Sequence, residues 1–455
     1  MSVNQDKLNE QLLDVIRDDN VAEEVRSKQI KFLLRMGADI NCNYVDNSAN
    51  TPLMVATSLR RSNVVDLLIK KGARLSYGDG CSLLETAIVN NDVDTAEVLL
   101  NHNVSANARN KNDYSVIRTA FIQGNVEVFE LLLKYGADPN TVVARYYDNP
   151  GTTLLMKAAE KGNVELVKIL LDYKASVPAC DSCNEDIMSY AGAGGKIEIV
   201  EMLLERGAVL ESKEIGRKRD SVLVKAIKCK HEELANYLIG KGMDVNACDK
   251  DGVSLLKLAC KRGLGSVVKE LLDKGARIED DGDSLEFPIV SAISNGNLEV
   301  VKMLVEKVAD VRLFSDEPLI KAVRYKHKDI VKYLIEKGVD VNAKAGANDT
   351  PLGIASEQGD LELVKLFLEK GAEVDTKSFI MGKTPLMYAC KKGHIEVVKE
   401  LLNHGADVDI KTDRGVDALG YAEEHGHEEV VSVLKKHIVR KKVRSVARWF
   451  GGGRE

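Results

Sequence analysis

Apolar residues recur in a fixed order along most of the chain. A pair such as Leu-Leu is followed at constant distance by a Gly-Ala-Asp-Val-Asn-like segment, as in LLRMGADIN, which ends at Asn41, and LLNHGADVD, which ends at Asp409. The glycine position of this segment occurs twelve times between residues 37 and 405, at a mean spacing of about 33 residues. This period predicts stacked repeats, each too small to bury its apolar residues alone.

Each repeat predicts two short helices joined by a turn. A threonine placed before a proline provides a capping hydroxyl and a suitable first helical residue, as in Thr51-Pro52, Thr350-Pro351 and Thr384-Pro385. An alanine four residues after the proline (Ala56, Ala355, Ala389) allows close approach of a neighbouring helix. The second helix, such as IEVVKELL at 395–402, has apolar residues at helical spacing and ends near a glycine. We call these the inner and the outer helix, and the segment leading to the next inner helix the finger.

These motifs resemble the ankyrin-repeat family over about residues 40 to 435. The chain departs from the family pattern where a histidine is expected after Thr-Pro-Leu, since Met54, Gly353 and Met387 stand there. Three glycine positions also differ, namely Asn103, Lys174 and Val308. Because a β-branched residue disfavours the left-handed region, we expect the repeat at Val308 to end its helix differently.

The fold class predicted on this basis is all-α, an ankyrin-repeat solenoid of about 13 helix-turn-helix units with short β-turn fingers and terminal capping units. The expected divisions are N-terminal capping helices with the first repeat at 1–47, eleven internal repeats at 48–411, a C-terminal capping repeat at 412–437 and a basic amphipathic tail at 438–455.

Composition limits the class of protein. The 455 residues include 44% hydrophobic and 29% charged residues with a net charge of −6, which is typical of a folded soluble chain. We found neither an apolar run of ~18 residues nor an apolar core near the start, so we expect no membrane span and no signal peptide. Eight scattered cysteines suit a reducing compartment, and we expect a cytoplasmic monomer without disulfides.

Motifs that suggest chemistry are weak. AGAGGK at 191–196 lacks the Walker spacing, and alignment to the period makes Gly195 a turn residue. Gly192 and Gly194 should weaken their helix by roughly 1 kcal/mol. Cys180 and Cys183 have zinc-like spacing without a second ligand pair. We therefore predict a protein that is not an enzyme, with no catalytic residue, metal or cofactor.

The ankyrin resemblance implies protein binding in a groove formed by inner helices and fingers. Three positions per repeat should face this groove: the residue before the inner-helix alanine and the two residues before the turn. Only Glu160, Glu357 and Glu424 are acidic there, whereas ten residues, the groove cations, are basic: Lys157, Lys161, Lys225, Lys228, Lys261, Arg262, Lys321, Arg324, Lys391 and Lys392. This excess favours an acidic protein partner. The alternative is an ordinary solvated surface, because lysine is common before this turn in the family.

Two fingers contain residues suited to partner contact. The repeat between the glycine positions 136 and 174 has 38 residues instead of about 33. The surplus lengthens its finger and includes Arg145, Tyr146 and Tyr147, residue types frequent in binding hot spots. A second finger has three consecutive apolar residues, Phe379, Ile380 and Met381. Either cluster could instead fold back on its neighbours.

The C-terminal segment is strongly basic. Its cations and its tryptophan are Lys435, Lys436, Arg440, Lys441, Lys442, Arg444, Arg448 and Trp449. Val439, Val443, Val446 and Phe450 share one helical face, so the segment predicts a basic amphipathic helix. Such a helix could tether the protein to nucleic acid or an anionic membrane, or it could pack on the last repeat.

Together these patterns predict a non-enzymatic scaffold for protein–protein interaction that binds an acidic protein in its groove. The alternative is an adaptor tethered to anionic membrane or nucleic acid through its basic tail.

Overall fold

A computed structural model of the chain describes residues 2–42, 51–75, 81–143, 151–177, 180–181, 185–210, 220–278, 288–307, 317–344, 350–378 and 381–451, with side chains between residues 5 and 443. Regular structure in these ranges consists of α-helices, with single antiparallel β-bridges in the fingers that join residues 109 and 115, 142 and 153, 180 and 186, and 248 and 254. The all-helical fold predicted from the repeat is therefore confirmed.

The chain forms two compact units, of which the first comprises residues 1–229. Its first two helices are α1 (Ser2–Arg17) and α2 (Glu23–Arg35), followed by alternating inner and outer helices. These are α3 (Pro52–Ser58), α4 (Ser62–Lys70), α5 (Cys81–Val89), α6 (Val93–Asn101), α7 (Val116–Gln123), α8 (Val126–Lys134), α9 (Leu154–Glu160), α10 (Val164–Asp172), α11 (Ile187–Gly194), α12 (Ile197–Glu205) and α13 (Val222–Lys228). Inner helices pack on inner helices and outer on outer, as α9 does on α11 and α10 on α12.

The second unit comprises residues 230–455 and has the same alternation. Its helices are α14 (Glu232–Gly240), α15 (Leu255–Arg262), α16 (Gly265–Asp273), α17 (Pro288–Ser294), α18 (Leu298–Lys307), α19 (Glu317–Arg324), α20 (Lys328–Glu336), α21 (Pro351–Gln358), α22 (Leu361–Glu369), α23 (Pro385–Lys392), α24 (Ile395–Asn403), α25 (Ala418–Glu424) and α26 (Glu428–Gly451). The inner helices from α15 to α25 pack in succession, and the outer helices do so from α14 to α20 and from α22 to α26.

Hydroxyl and carboxylate caps begin the inner helices. The Oγ1 atoms of Thr51, Thr350 and Thr384 accept hydrogen bonds from the backbone N–H three residues later, which confirms the predicted helix starts. Other repeats use Ser221 and Asp417 in the same way. Each cap satisfies a donor that the helix leaves unpaired.

Left-handed residues end the outer helices. Gly405 has a φ of 87°, and Asn103 and Lys174, which replace glycine in two repeats, each have a φ of 63°. Val308 lies outside the described residues. A non-glycine residue in this region is uncommon, so the surrounding repeat imposes the conformation at Asn103 and Lys174.

The core lies between the helix layers of each unit. The alanines predicted to allow close approach, Ala56, Ala355 and Ala389, are fully buried. Gly192 and Gly194 of α11 serve the same purpose, because a Cβ on Gly194 would lie 1.9 Å from the Ala159 carbonyl oxygen of α9. A Cβ on Gly192 would lie 2.4 Å from the Val222 carbonyl oxygen of α13. These glycines lower helix propensity but permit the backbone of α11 to contact both neighbours.

Candidate functional site

In the first unit, the groove cations are mostly engaged by nearby side chains. Lys157 pairs with Glu160 at 2.7 Å and Lys225 with Glu185 of the preceding finger at 3.4 Å. Lys228 pairs with the nearly buried Asp220 at 2.9 Å. These carboxylates neutralise charge that would otherwise be available to a partner.

Lys161 differs from these three because its partner is aromatic. Its ammonium lies 5.0 Å from the ring centroid of Phe121, which holds the cation in place without neutralising it.

In the second unit, Arg324 is exposed at the end of α19, and the other five groove cations divide into paired and unneutralised groups. Lys321 pairs with Glu317 at 3.5 Å and Lys392 with Glu357 at 3.9 Å. Among the described residues, no carboxylate lies within ion-pair distance of Lys261, Arg262 or Lys391. Lys261 and Arg262 are exposed at the end of α15, and Lys391 is half-buried. The positive charge of this surface is therefore concentrated at these residues.

A further cation of the second unit, Lys383, lies at the end of a finger. It precedes the N-cap of α23, its side chain is buried, and its ammonium lies 5.5 Å from the Tyr388 ring centroid and 5.2 Å from that of Tyr421. Burial, and next the charge of Lys391, lowers the pKa of Lys383.

Lys383 does not follow from the groove positions of the repeat, because those positions lie on the inner helices. A signal was nevertheless present: Tyr388 and Tyr421 occupy the same repeat position 33 residues apart, and Lys383 directly precedes the first of these helices.

The long finger is only partly described by the structure. Arg145, Tyr146 and Tyr147 lie outside the described residues. The ends of their finger are held together, since the Val143 N–H donates to the Thr152 carbonyl at 2.8 Å. Partner contact by these three residues stays a prediction.

The apolar finger is described only at its C-terminal end. Phe379 and Ile380 lie outside the described residues, whereas Met381 is exposed. The Gly382 N–H and the Ser378 N–H donate to the Ser378 and Lys383 carbonyls respectively, both at 2.9 Å. These two hydrogen bonds fix the backbone that leads into Lys383.

The basic C-terminal segment continues the last outer helix and is tied to the repeats by ion pairs. Lys435 contacts Glu423 at 2.9 Å, and Lys441 contacts Asp407 at 2.7 Å and Asp409 at 2.8 Å. The hydrogen bonds between them raise the pKa of Lys441 and lower that of Asp407. These contacts reach α26 from the last inner helix and the last complete finger.

The apolar face predicted for this helix is open where its side chains are described. Val439 is 59% exposed and Val443 is 62% exposed, and the cations Lys436, Arg440 and Lys442 are exposed around them. Arg444, Arg448 and Trp449 belong to the helix, although their side chains lie outside the described part. In the described chain, no helix combines the length and the apolar character needed to cross a bilayer.

A second apolar surface lies on the first two helices. Phe32 is 60% exposed and Met36 is 57% exposed. A shallow groove of about 550 Å³ lies between α1 and α2. It is lined by Val15, Val25, Phe32 and Leu33 and edged by Asp14 and Lys28.

Among the described residues, no group of three or more His, Cys, Asp or Glu side chains is close enough to hold a metal ion. Cys180 is exposed, and Cys183 lies outside the described residues. Burial raises the pKa of the Cys42 thiol to about 11 and that of Cys390 to about 12, so both stay protonated and poorly nucleophilic at neutral pH.

The segment resembling a phosphate loop is helical. Residues 191–194 form the last turn of α11, and Gly195 ends that helix with a φ of 75°, which confirms its interpretation as a turn residue. Two histidines in the matching turn position contact the preceding repeat: His394 Nε2 lies 3.0 Å from the Glu357 carbonyl oxygen, and His427 Nε2 lies 3.1 Å from that of Lys391. Both connect successive repeats.

Comparison with known proteins identifies the repeat. The family profile described as "Ankyrin repeats (3 copies)" matches residues 74–143, 141–214, 209–282, 279–345 and 352–445. These segments cover well over half of the chain.

Similar proteins carry the repeat within longer chains. "Ankyrin repeat and KH domain-containing protein mask-1" of Caenorhabditis elegans is 28% identical over 34% of this chain, which covers 6% of that protein. Human "Transient receptor potential cation channel subfamily A member 1" is 25% identical over 57% of this chain, which covers 21% of it. The crystal structure of the human ASB11 ankyrin repeat domain is 27% identical, covers 47% of this chain and 97% of its own, and superimposes with a TM-score of 0.43. This chain thus matches only a small part of the length of the mask-1 protein and of the channel protein.

Proposed function

The chain belongs to the ankyrin-repeat family, and we propose that it is a non-enzymatic scaffold that binds an acidic protein partner along its groove. Ankyrin repeats are general protein–protein interaction modules, which supports a protein ligand. We further propose that it acts as a monomer in the cytoplasm, where the thiols found among the described cysteines would remain reduced.

The observation that carries the proposal is the unneutralised charge at Lys261 and Arg262. Both side chains are exposed and no described carboxylate pairs with them, whereas Lys157, Lys225, Lys228 and Lys321 already have acidic partners. A partner carboxylate meeting Lys261 or Arg262 need not displace a resident one, and complementary charge increases both association rate and selectivity. The second unit is accordingly the better candidate for electrostatic recognition.

Charge reversal tests this proposal. Partners are captured from native lysate with the wild-type chain, with the double variant K261E/R262E, and with the control K269E/K274E, which changes the charge equally on the outer helix of the same repeat. The proposal requires a protein that the wild type and the control retain and the groove variant loses. With that protein purified, its affinity should fall as salt increases. Equal retention by all three chains would contradict the groove as the binding surface.

The exposure of Val439 and Val443 favours a second candidate function, tethering through the basic tail. Apolar side chains surrounded by cations suit an interfacial helix on an anionic membrane, whereas nucleic acid would use the cations alone.

Two variants distinguish these forms of tethering. A chain that ends at Leu434 should lose binding to anionic vesicles and to duplex DNA. The variant V439S/V443S should lose vesicle binding but keep DNA binding, because its charge is unchanged. If the full chain binds neither vesicles nor DNA, tethering is excluded as a function of the tail.

A further inference from the structure

Three exposed apolar side chains follow one another along the groove of the first unit. Leu59, the C-cap residue of α3, is 40% exposed, Val89 at the end of α5 is 54% exposed, and Ile122 in the last turn of α7 is 51% exposed. Each occupies one of the two groove positions before the turn, and α3, α5 and α7 pack in succession. We call these three residues the apolar stripe. Single exposed apolar residues are ordinary, but an aligned set over three consecutive repeats suits a binding surface.

The polar side chains beside the apolar stripe already have hydrogen-bond partners in the chain. Ser58 Oγ donates to the Val55 carbonyl at 2.9 Å, and Thr86 Oγ1 donates to the Ser82 carbonyl at 2.8 Å. Asn90 Nδ2 donates to the Ser58 carbonyl at 3.3 Å. None of the groove positions in these three repeats holds a charged residue. A partner that covers the apolar stripe therefore covers donors that are satisfied, which lowers the cost of desolvation.

A cation without an acidic partner lies at one end of the apolar stripe. Lys161, at a groove position of the next repeat, is exposed, and its ammonium lies 5.0 Å from the ring centroid of Phe121, the neighbour of Ile122 in α7. The adjacent acid, Glu160, pairs with Lys157 at 2.7 Å. Among the described residues, no carboxylate lies within ion-pair distance of Lys161. A positive charge is thus held beside the last apolar side chain and is available to a partner.

Charge is more nearly balanced at the opposite end of the apolar stripe. Arg60, which follows Leu59, is exposed, but Arg61 pairs with Asp19 at 2.6 Å and also donates to the Asp18 carbonyl at 3.4 Å. Two cations and two acids therefore lie close together there. Complementary charge consequently favours an acidic residue of the partner at the Lys161 end.

The spacing of the apolar stripe indicates the kind of segment that can follow it. Packed helices lie about 8–10 Å apart, and residues seven apart on one face of an α-helix are separated by about 10.5 Å. A partner helix that crosses α3, α5 and α7 can therefore place one apolar residue on each. A β-strand matches this spacing poorly, because its side chains recur on one face about every 6.6 Å.

We propose that the apolar stripe and Lys161 bind an amphipathic α-helix of a partner protein, whose apolar face ends in an acidic residue. The apolar contacts supply most of the affinity, and the ion pair with Lys161 sets the direction of the helix. This inference rests on the proposed function, because it names the form and chemistry of the partner segment that the scaffold holds in its first unit.

The probe is a displayed library of alanine-rich helical peptides with the residues of one face randomised. A length of about 20 residues is enough to reach from Leu59 to Lys161 across successive inner helices. The library is selected on the full-length chain, and the affinity of each enriched peptide is then measured by fluorescence anisotropy.

Two test variants and two matched controls separate the contributions. L59Q/V89T/I122T makes the apolar stripe polar, and K161M removes the cation. V25T/F32Q/M36Q makes the same number of exposed apolar residues polar on α2 and directly after it, outside the groove. K168M removes an equal charge from an exposed position on the outer helix of the repeat that contains Lys161. Circular dichroism checks that each variant is folded, and K161M keeps the test valid if the triple variant does not fold.

Enriched peptides should have apolar residues seven apart and Asp or Glu at one end. Their affinity should fall at least about tenfold for L59Q/V89T/I122T and about threefold for K161M, and should be unchanged for both controls. A proline in the middle of an enriched peptide should abolish its binding, since proline breaks a helix.

Three results would overturn the proposal. These are the absence of any enriched peptide, enriched peptides that bind the wild type and both test variants equally, and binding that survives the proline, which would show that the segment binds in an extended form. Because the selection needs no natural partner, its failure leaves the capture experiment with K261E/R262E as an independent test of the proposed function.

Discussion

The imidazole ring of His394 covers Gly359, the turn glycine of the preceding repeat. A Cβ on Gly359 would lie 2.6 Å from His394 Nδ1, while His394 Nε2 lies 3.0 Å from the Glu357 carbonyl oxygen. His427 covers Gly393 in the same way, and His327 covers Gly296. The histidine of each of these turns is thus fitted to a glycine one repeat earlier.

The first prediction compares two glycines of one repeat. Gly371 has a φ of 86° and open space around its Cα, so G371A should cost only the backbone strain, about 1 kcal/mol. Gly359 has a φ of 74° and the His394 ring above it, so G359A should cost more, about 2 to 4 kcal/mol. Urea unfolding measures both. Equal costs would mean that the ring moves away freely.

The second prediction concerns helix glycines. In G194A the new methyl group would meet the Ala159 carbonyl oxygen, so the backbones of α9 and α11 must separate and the free energy of unfolding should fall by about 3 kcal/mol or more. Gly240, the last residue of α14, has no atom within 4 Å of its ideal Cβ. G240A should therefore be neutral or slightly stabilising, by less than about 1 kcal/mol. Thermal unfolding of both variants provides the comparison.

The third prediction is a pH dependence at Glu362. Its carboxylate contacts Lys332 at 2.8 Å and Lys328 at 2.9 Å, and these hydrogen bonds lower its pKa from 4.5 to about 2. A lowered folded-state pKa contributes stability that is present above pH 4.5 and is lost as the pH falls towards 2. The stability of E362Q should consequently decline less steeply than that of the wild type in this range.

Carboxyl NMR measures the same pKa directly. Lys332→Met should raise the pKa of Glu362, and Lys370→Met, at the end of the same helix, should leave it unchanged. A pKa of Glu362 that does not move in the first variant would show that Lys332 makes no lasting contact.

The fourth prediction concerns α26. Lys441→Met removes the contacts to Asp407 and Asp409, so backbone amides after residue 438 should exchange hydrogen faster. Because all three side chains are substantially exposed, global stability should change by less than about 1 kcal/mol. Lys436→Met is the control, since Lys436 is exposed on the same helix. Identical exchange in both variants would argue against an anchoring role for Lys441.

Periodicity was sufficient to predict the fold, because most repeats have the same pattern of apolar, capping and glycine residues. Threonine caps, buried alanines and left-handed turn residues follow local rules that do not depend on distant partners. The role of Gly194 could not be predicted in this way, since the carbonyl that it accommodates belongs to Ala159, a repeat away. The sequence alone indicated only its cost to the helix.

Groove charge was harder to predict for a similar reason. Glu185, Asp220 and Glu317 neutralise lysines that the repeat register places in the groove, yet none of them occupies a groove position of that register. Lys383, by contrast, comes from a finger, where the repeat register assigns no groove position. Net charge counted by position therefore overestimates the unpaired positive charge of the first unit.

The fit of each histidine over an earlier glycine also bears on how such an array can change its length during evolution. Loss of one whole repeat, from Asp360 to Gly393, would bring His427 over Gly359, an equivalent glycine. Loss of a shorter or longer segment would leave the ring above a different residue. Gene duplications and deletions in this region are therefore tolerated most readily in whole multiples of the repeat, whatever the boundaries of the underlying coding segments.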